Sequence, residues 1–248
     1  MNQSDMSSNP KNYLIFGGIG GIGGFLTDQL TQQGHCVFVT TQTPEKALQS
    51  SVDAKHTLVA DVLNPDSIKQ AVAVASQEGL DGLAYCIGSL DLKPLSRTTR
   101  EDLLRSFELN TVGAFLAIKE SSAALKERRG SIILFSSIAA TRGFINHSSI
   151  GAAKASVEGL ARSLAAELAP HIRINVIAPS LTSTPLALPL TQNPKMAEAI
   201  ASLHPIPKLG DPREIASLAQ FLLSDQSSWI TGQVFHVDGG RSTLDKKS

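Results

Sequence analysis

The chain has 248 residues, 42% of them hydrophobic, a mean hydropathy near zero, and 22 Lys+Arg against 22 Asp+Glu. This suffices for one α/β domain with a substantial core and leaves little for a second. Balanced charge, with no Lys/Arg-rich run or basic helix to track a phosphate backbone, excludes nucleic acid as an expected partner.

The amino-terminal residues 1–11 are polar and read as a disordered tail, with residues 12–248 forming a single domain. The start MNQSDMSSNPKN lacks the positive charge and apolar run of a signal peptide, and no segment has about 18 uninterrupted apolar residues. A cytoplasmic protein with no membrane partner is expected. Seven short apolar runs follow: 13–16, 36–40, 57–60, 82–87, 131–135, 172–178 and 233–237. Helix-length segments at 21–33, 65–78, 100–127, 150–169 and 212–224 lie between them, several opened by Asp or Pro signals such as Asn64-Pro65-Asp66 and Asp211-Pro212. Strands apolar on both faces and separated by helices predict a Rossmann-like, doubly wound α/β fold, with a seven-stranded parallel sheet flanked by helices. Residues 179–211, rich in Pro, Leu and Thr, hold one short helix around 195–203; a long excursion at the carboxyl end of a strand is where such folds build substrate lids. Cys36 and Cys86 have neither metal-ligand nor disulfide spacing and read as buried, reduced strand residues, so no metal site is expected.

Directly after the first strand comes Gly17-Gly18-Ile19-Gly20-Gly21-Ile22-Gly23. Glycines at a strand-to-helix junction allow a tight turn and bring backbone N–H groups close to a pyrophosphate at the helix amino terminus. The second strand ends in Thr40-Thr41-Gln42. An acidic residue there would bind a free ribose 2′-OH, whereas hydroxyls and amides accommodate a 2′-phosphate, which favours NADP over NAD.

These stretches, together with Asp61-Val62, Gly88, Pro179-Ser180, Thr184 and the segment Val237-Asp238-Gly239-Gly240, resemble the short-chain dehydrogenase/reductase family from residue 12 to about 241. The resemblance implies that Gly17, Gly21, Ile22 and Gly23 cradle phosphate, that Thr41 faces the adenine ribose, and that Asp61 and Val62 meet the adenine. It further implies that Gly88 and Pro179 line the cofactor and that Thr184 meets the nicotinamide carboxamide.

At the catalytic end it assigns Ser137 to orient a carbonyl, Lys154 to hold the nicotinamide ribose, and Asn110 to a water relay. The chain departs from the family at Ile150, four residues before Lys154, where the family has a tyrosine that donates the proton. Phe16 stands for a threonine, and Tyr85-Cys86-Ile87-Gly88 for Asn-Asn-Ala-Gly. Tyr13 lies away from the catalytic end and Tyr85 reads as core, so neither replaces the phenol. His147, three residues before Ile150, is the candidate replacement acid, because imidazole titrates near neutrality; its other reading is a structural histidine packed against a neighbouring loop, with a water carrying the proton. Arg142 has two readings, an anchor for an anionic substrate or a solvated surface charge. Self-association as a tetramer or dimer, through the helix at 150–169 and the one around 100–127, is implied by the same resemblance. The expected activity is NAD(P)-dependent oxidoreduction of a small carbonyl or alcohol. A catalytically inactive dinucleotide-binding sensor or assembly protein, and a non-redox lyase or isomerase in the same pocket, stand as alternatives.

Overall fold

The computed structural model describes residues 9–48 and 56–245. Most of the tail expected over 1–11 therefore lies outside the described residues. Seven parallel strands form one sheet: β1 (Asn12–Phe16), β2 (Cys36–Thr41), β3 (Thr57–Val59), β4 (Gly82–Tyr85), β5 (Ser131–Phe135), β6 (Arg173–Pro179) and β7 (Val234–Val237), in the order β3-β2-β1-β4-β5-β6-β7. The chain winds outward in one direction from β1 to β3 and in the other from β4 to β7. The reversal leaves a crevice beyond the carboxyl ends of β1 and β4, where open α/β sheets bind their ligands.

The strands β1, β2, β4, β5 and β6 are largely buried on both faces because helices cover both, whereas the edge strands β3 and β7 are half-buried to exposed. On one side Tyr13, Ile15, Val37, Val39, Ala84 and Ile133 pack against α1 (Gly21–Gln32) and α9 (Pro212–Leu223). On the other side Leu14, Phe16, Leu83, Ile132, Leu134 and Val176 pack against α3 (Pro65–Ala75), α5 (Gly113–Arg128) and α6 (Ser148–Leu168). The short helix α2 (Pro44–Leu48) follows β2, and α4 (Arg100–Phe107) precedes α5. The 179–211 excursion carries two short helices, α7 (Leu188–Thr191) and α8 (Pro194–Ala201), where the sequence predicted one.

The single helix expected over 100–127 is broken. A π turn, Glu108–Val112, separates α4 from α5. Its cause is a cross-element hydrogen bond: Tyr85 at the end of β4 donates its hydroxyl to the Leu109 carbonyl at 2.7 Å. In a regular α-helix that carbonyl would accept the Gly113 N–H, which instead reaches back to Glu108 O, the i to i−5 pattern of a π turn. A side chain at Gly113 would put its Cβ 2.2 Å from the tyrosine oxygen. Tyr85 is thus core, as expected, and it shapes the turn that carries Asn110.

The expected placement of the cysteines needs one correction. β4 ends at Tyr85, because the chain diverges from the sheet to wall the crevice, and Cys86 lies just past the strand, half-buried against the cavity. Cys36 does lie in β2 and is also half-buried.

Candidate active site

A cavity of about 390 Å³ opens at the β1–β4 crevice, walled by the start of α1, the segments after β4, β5 and β6, the start of α6, and the 181–200 lid. Ile22, Gly88, Ser137, His147, Ile150, Lys154, Pro179 and Thr184 all reach its surface.

At the nucleotide side the backbone is fixed by close packing. Gly17 has φ +76°, and a Cβ on Gly23 would lie 2.4 Å from the Gly17 carbonyl oxygen, so α1 starts almost on top of the turn. The Gly17 N–H donates to Thr40 Oγ1 at 3.3 Å, which supplies from β2 a hydroxyl to the turn that Phe16 cannot offer. Thr27, one turn into α1, donates its hydroxyl toward the Gly18 and Gly23 carbonyls at 2.8 and 2.9 Å. No side chain caps α1 and no acid stands in its first turn, so its first N–H groups and the positive end of the helix remain available to an anion. Thr184 of the lid comes over this turn, 3.2 Å from the place a Gly21 Cβ would take.

Thr41, Asp61 and Val62 do not reach the cavity; they gather at the ends of β2 and β3, where the Ala60 N–H donates to Thr41 O at 2.8 Å. The Thr41 hydroxyl is buried with no partner among the described residues. Asp61 Oδ1 accepts the Leu63 N–H at 3.0 Å, as a turn aspartate does, and Val62 is buried in the core.

Lys154, on the face of α6 toward the sheet, is 7% exposed and donates Nζ–H to the Phe135 carbonyl at 2.8 Å. Burial lowers its pKa to about 8, with the Cys86 thiol opposing weakly. Burial likewise pushes Cys86 up to about 12 and keeps it a neutral thiol. Asn110 is anchored in the π turn by Nδ2–H donation to Ser106 O at 2.9 Å, while its Oδ1 is buried and unpartnered among the described residues.

The absent side chain of Gly88 is what brings these groups together. A Cβ there would meet Lys154 Nζ at 3.3 Å and Asn110 Oδ1 at 3.5 Å, so a cation and a free acceptor flank one opening in the backbone. A ribose hydroxyl is a donor and an acceptor at once and satisfies both, which is how these residues fit a dinucleotide.

Ser137, at the end of β5, accepts the Ala139 N–H at 3.2 Å and caps a short 3₁₀ turn; its hydroxyl proton is left to donate into the cavity. Ile150 is 4% exposed and contributes only methyl groups to the wall. His147 occupies the position before α6 and makes no capping bond. Its Nδ1 lies 2.7 Å from the Ile145 carbonyl, an acceptor only, so Nδ1 carries a hydrogen and donates it there. The ring leans on Phe144, with centroids 5.3 Å apart.

Two site elements escaped the sequence. Ser180, on the cavity wall after β6, bonds His204 Nε2 at 2.8 Å, and His204 is almost fully buried with Nδ1 directed at the Ile200 and Ala201 carbonyls. Arg241, past β7, also reaches the cavity. Their signals were a Ser where the family has Gly after Pro179, and an arginine next to a Gly-Gly turn; neither has a period or spacing that would reveal a contact.

Comparison with known proteins gives the decisive observation. The family model described as enoyl-(acyl carrier protein) reductase matches residues 18–242. The chain belongs to the short-chain dehydrogenase/reductase family. It is 32% identical over 252 residues to 2,5-dichloro-2,5-cyclohexadiene-1,4-diol dehydrogenase of Sphingobium indicum, covering 97% of this chain and 100% of that one. It is also 32% identical over 243 residues to the 3-oxoacyl-(acyl-carrier-protein) reductase of Vibrio cholerae, covering 95% and 98%. Among solved structures it resembles ElxO with NADP bound, with a TM-score of 0.86, 27% identity, and coverage of 95% and 100%. Family members of this kind place the chain among NAD(P)-dependent oxidoreductases of alcohols and carbonyls. Among the described residues no helix is long and apolar enough to cross a membrane and no cluster has the composition of a metal site.

Proposed function

We propose that this short-chain dehydrogenase/reductase interconverts a small carbonyl compound and its alcohol with NADP as preferred cofactor, and that His147 holds the proton which the family assigns to a tyrosine at position 150. The observation that carries the reading is the juxtaposition at Gly88: Lys154 Nζ and the orphaned Asn110 Oδ1 flank one opening beside Ser137. A buried lysine and an unsatisfied buried amide oxygen are costly unless a ligand completes them.

When bound, the dinucleotide supplies or accepts the hydride. Ser137 donates its hydroxyl to the carbonyl oxygen and fixes its direction. As negative charge grows on that oxygen, His147 Nε2 releases a proton to it, while the Nδ1 bond to Ile145 O holds the ring in place. Lys154, on the cavity wall, would hold the nicotinamide ribose. Leu181, Leu186 and Leu190 give the remainder of the cavity an apolar lining suited to a hydrophobic substrate body. Preference for NADP rests on Thr41, whose buried hydroxyl has no described partner, and on the absence of a carboxylate at the end of β2, with Gln42 and Thr43 adjacent. Half-exposed Leu103, Leu104, Phe107 and Phe115 on α4 and α5 support self-association as a tetramer or dimer through these helices.

The test is NADPH oxidation against a panel of ketones and aldehydes. Wild-type turnover is expected, with kcat lowered about 10²–10³-fold in Ser137→Ala and cofactor affinity kept. Tight NADPH binding without turnover of any substrate would overturn the reading. It would favour a non-catalytic dinucleotide-binding protein, which buried Ile150, with no ionisable group at that place, also supports.

A further inference from the structure

The cavity wall carries two full cations, Lys154 and Arg241, and among the described residues no Asp or Glu lines it. Lys154 is committed to the Phe135 carbonyl and the opening at Gly88. Arg241 is left at the other end, against an apolar surface. Its guanidinium lies over the Phe144 ring, 5.1 Å from the centroid, and Arg142 lies over the same ring at 5.9 Å. Arg142 also donates from Nη1 to the Arg241 carbonyl, tying the segment after β5 to the one after β7.

Neither arginine takes part in an ion pair among the described residues. The acid nearest in sequence, Asp238, is spent on its own turn: it accepts the Gly240 N–H at 2.9 Å, the Ser242 N–H at 2.9 Å and the Ser242 hydroxyl. Partial burial and the neighbouring Arg142 disfavour the charged form of Arg241, and Asp238, whose oxygens are engaged in its own turn, acts on it only through space in the opposite sense. Two like charges on one ring, with no carboxylate between them, form a site whose missing partner is an anion.

We infer that Arg241, backed by Arg142 and seated on Phe144, receives the carboxylate of the substrate, so that this enzyme acts on a keto acid or hydroxy acid with an apolar body. This rests on the oxidoreductase reading and names its substrate class. Phe144 also touches His147, so an acid held at Arg241 lies along the ring that leads to the proton-donating imidazole. A guanidinium fork matches a carboxylate in two hydrogen bonds and fixes direction as well as charge.

The experiment compares matched keto acids and their methyl esters, of increasing chain length, as substrates with NADPH. The acid is expected to be favoured over its ester in kcat/KM by about 10- to 100-fold, carried mainly by KM. In Arg241→Gln that ratio collapses toward one, Arg241→Lys retains part of it, and NADPH affinity reports that each variant is folded. Ester turnover with no preference for the acid, or a preference that survives Arg241→Gln, overturns the inference and leaves the oxidoreductase reading standing. Absence of turnover with both sinks that reading instead. In that case the thermal shift given by the keto acid decides: its loss in Arg241→Gln supports the anion site, and its persistence or absence in the wild type overturns it.

Discussion

At the β1–β4 crevice the shape is set by glycine backbone: Gly17 and Gly23 touch through space no side chain could share, α1 offers uncapped N–H groups, and Gly88 packs against Lys154 and Asn110. Around the start of α6 the cavity is lined by side chains of two segments, Ser137, Phe144 and His147 from the connection between β5 and α6 and Arg241 from the one after β7. The first region binds what every dinucleotide shares and tolerates little change. In the proposed mechanism the second selects and protonates a substrate, and isoleucine stands at the tyrosine position there because His147 carries the proton. A ribose site and a proton site are thus separable, although Lys154 and Ile150 stand one helical turn apart.

The largest test of that separation is His147→Gln. It is expected to lower kcat about 10²- to 10⁴-fold with NADPH affinity held, and Ile150→Tyr placed on that background is expected to recover part of the rate; equal losses in rate and cofactor affinity would erase the distinction between the two regions. Gly23→Ala probes the other end. Alanine favours a helix by about 1 kcal/mol elsewhere, but here its Cβ meets the Gly17 carbonyl at 2.4 Å. NADPH affinity, read by fluorescence titration, should fall about 100-fold or more.

Tyr85→Phe comes next. It strips the Leu109 carbonyl of its hydroxyl donor inside the π turn, which costs about 1–3 kcal/mol in urea unfolding. Because Asn110 rides on that turn, kcat should fall as well; an unchanged kcat would detach Asn110 from the reaction.

The smallest effect concerns Lys154. With a folded pKa near 8 against 10.5 for a free lysine, the unfolded chain binds more protons above pH 8, so stability rises with pH. Above about pH 9 the unfolded-state thiol of Cys86 ionises while the folded one stays protonated, which offsets the lysine and levels the trend. Between pH 8 and 9 the apo protein should therefore gain about 1 kcal/mol, and Lys154→Met should abolish the gain.

The sheet was legible because its inner strands are apolar on both faces and several helices, α3 and α9 among them, open on a readable Asn-Pro or Asp-Pro signal. Observed strand ends lie within two residues of those expected. The stretch from Ser137 to Lys154 was legible by spacing, since it lies within a single strand-turn-helix unit. What stayed hidden depends on contacts between distant segments. The π turn arises from a tyrosine 24 residues before its acceptor. Ser180 meets His204 across 24 residues, and Arg142 meets Arg241 across 99. No periodicity encodes such pairs, and the arginine at 142 alone read more strongly as a solvated surface charge.

The central claim is that hydride moves between cofactor and carbonyl in a site whose helix-face position 150 has no proton to give. Nicotinamide-deuterated NADPH incubated with a keto acid, followed by mass spectrometry of the product alcohol, tests it directly. The account predicts one deuterium on the former carbonyl carbon in wild type and its loss in His147→Gln. Tight cofactor binding with no deuterium transferred to any ketone, aldehyde or keto acid would contradict it.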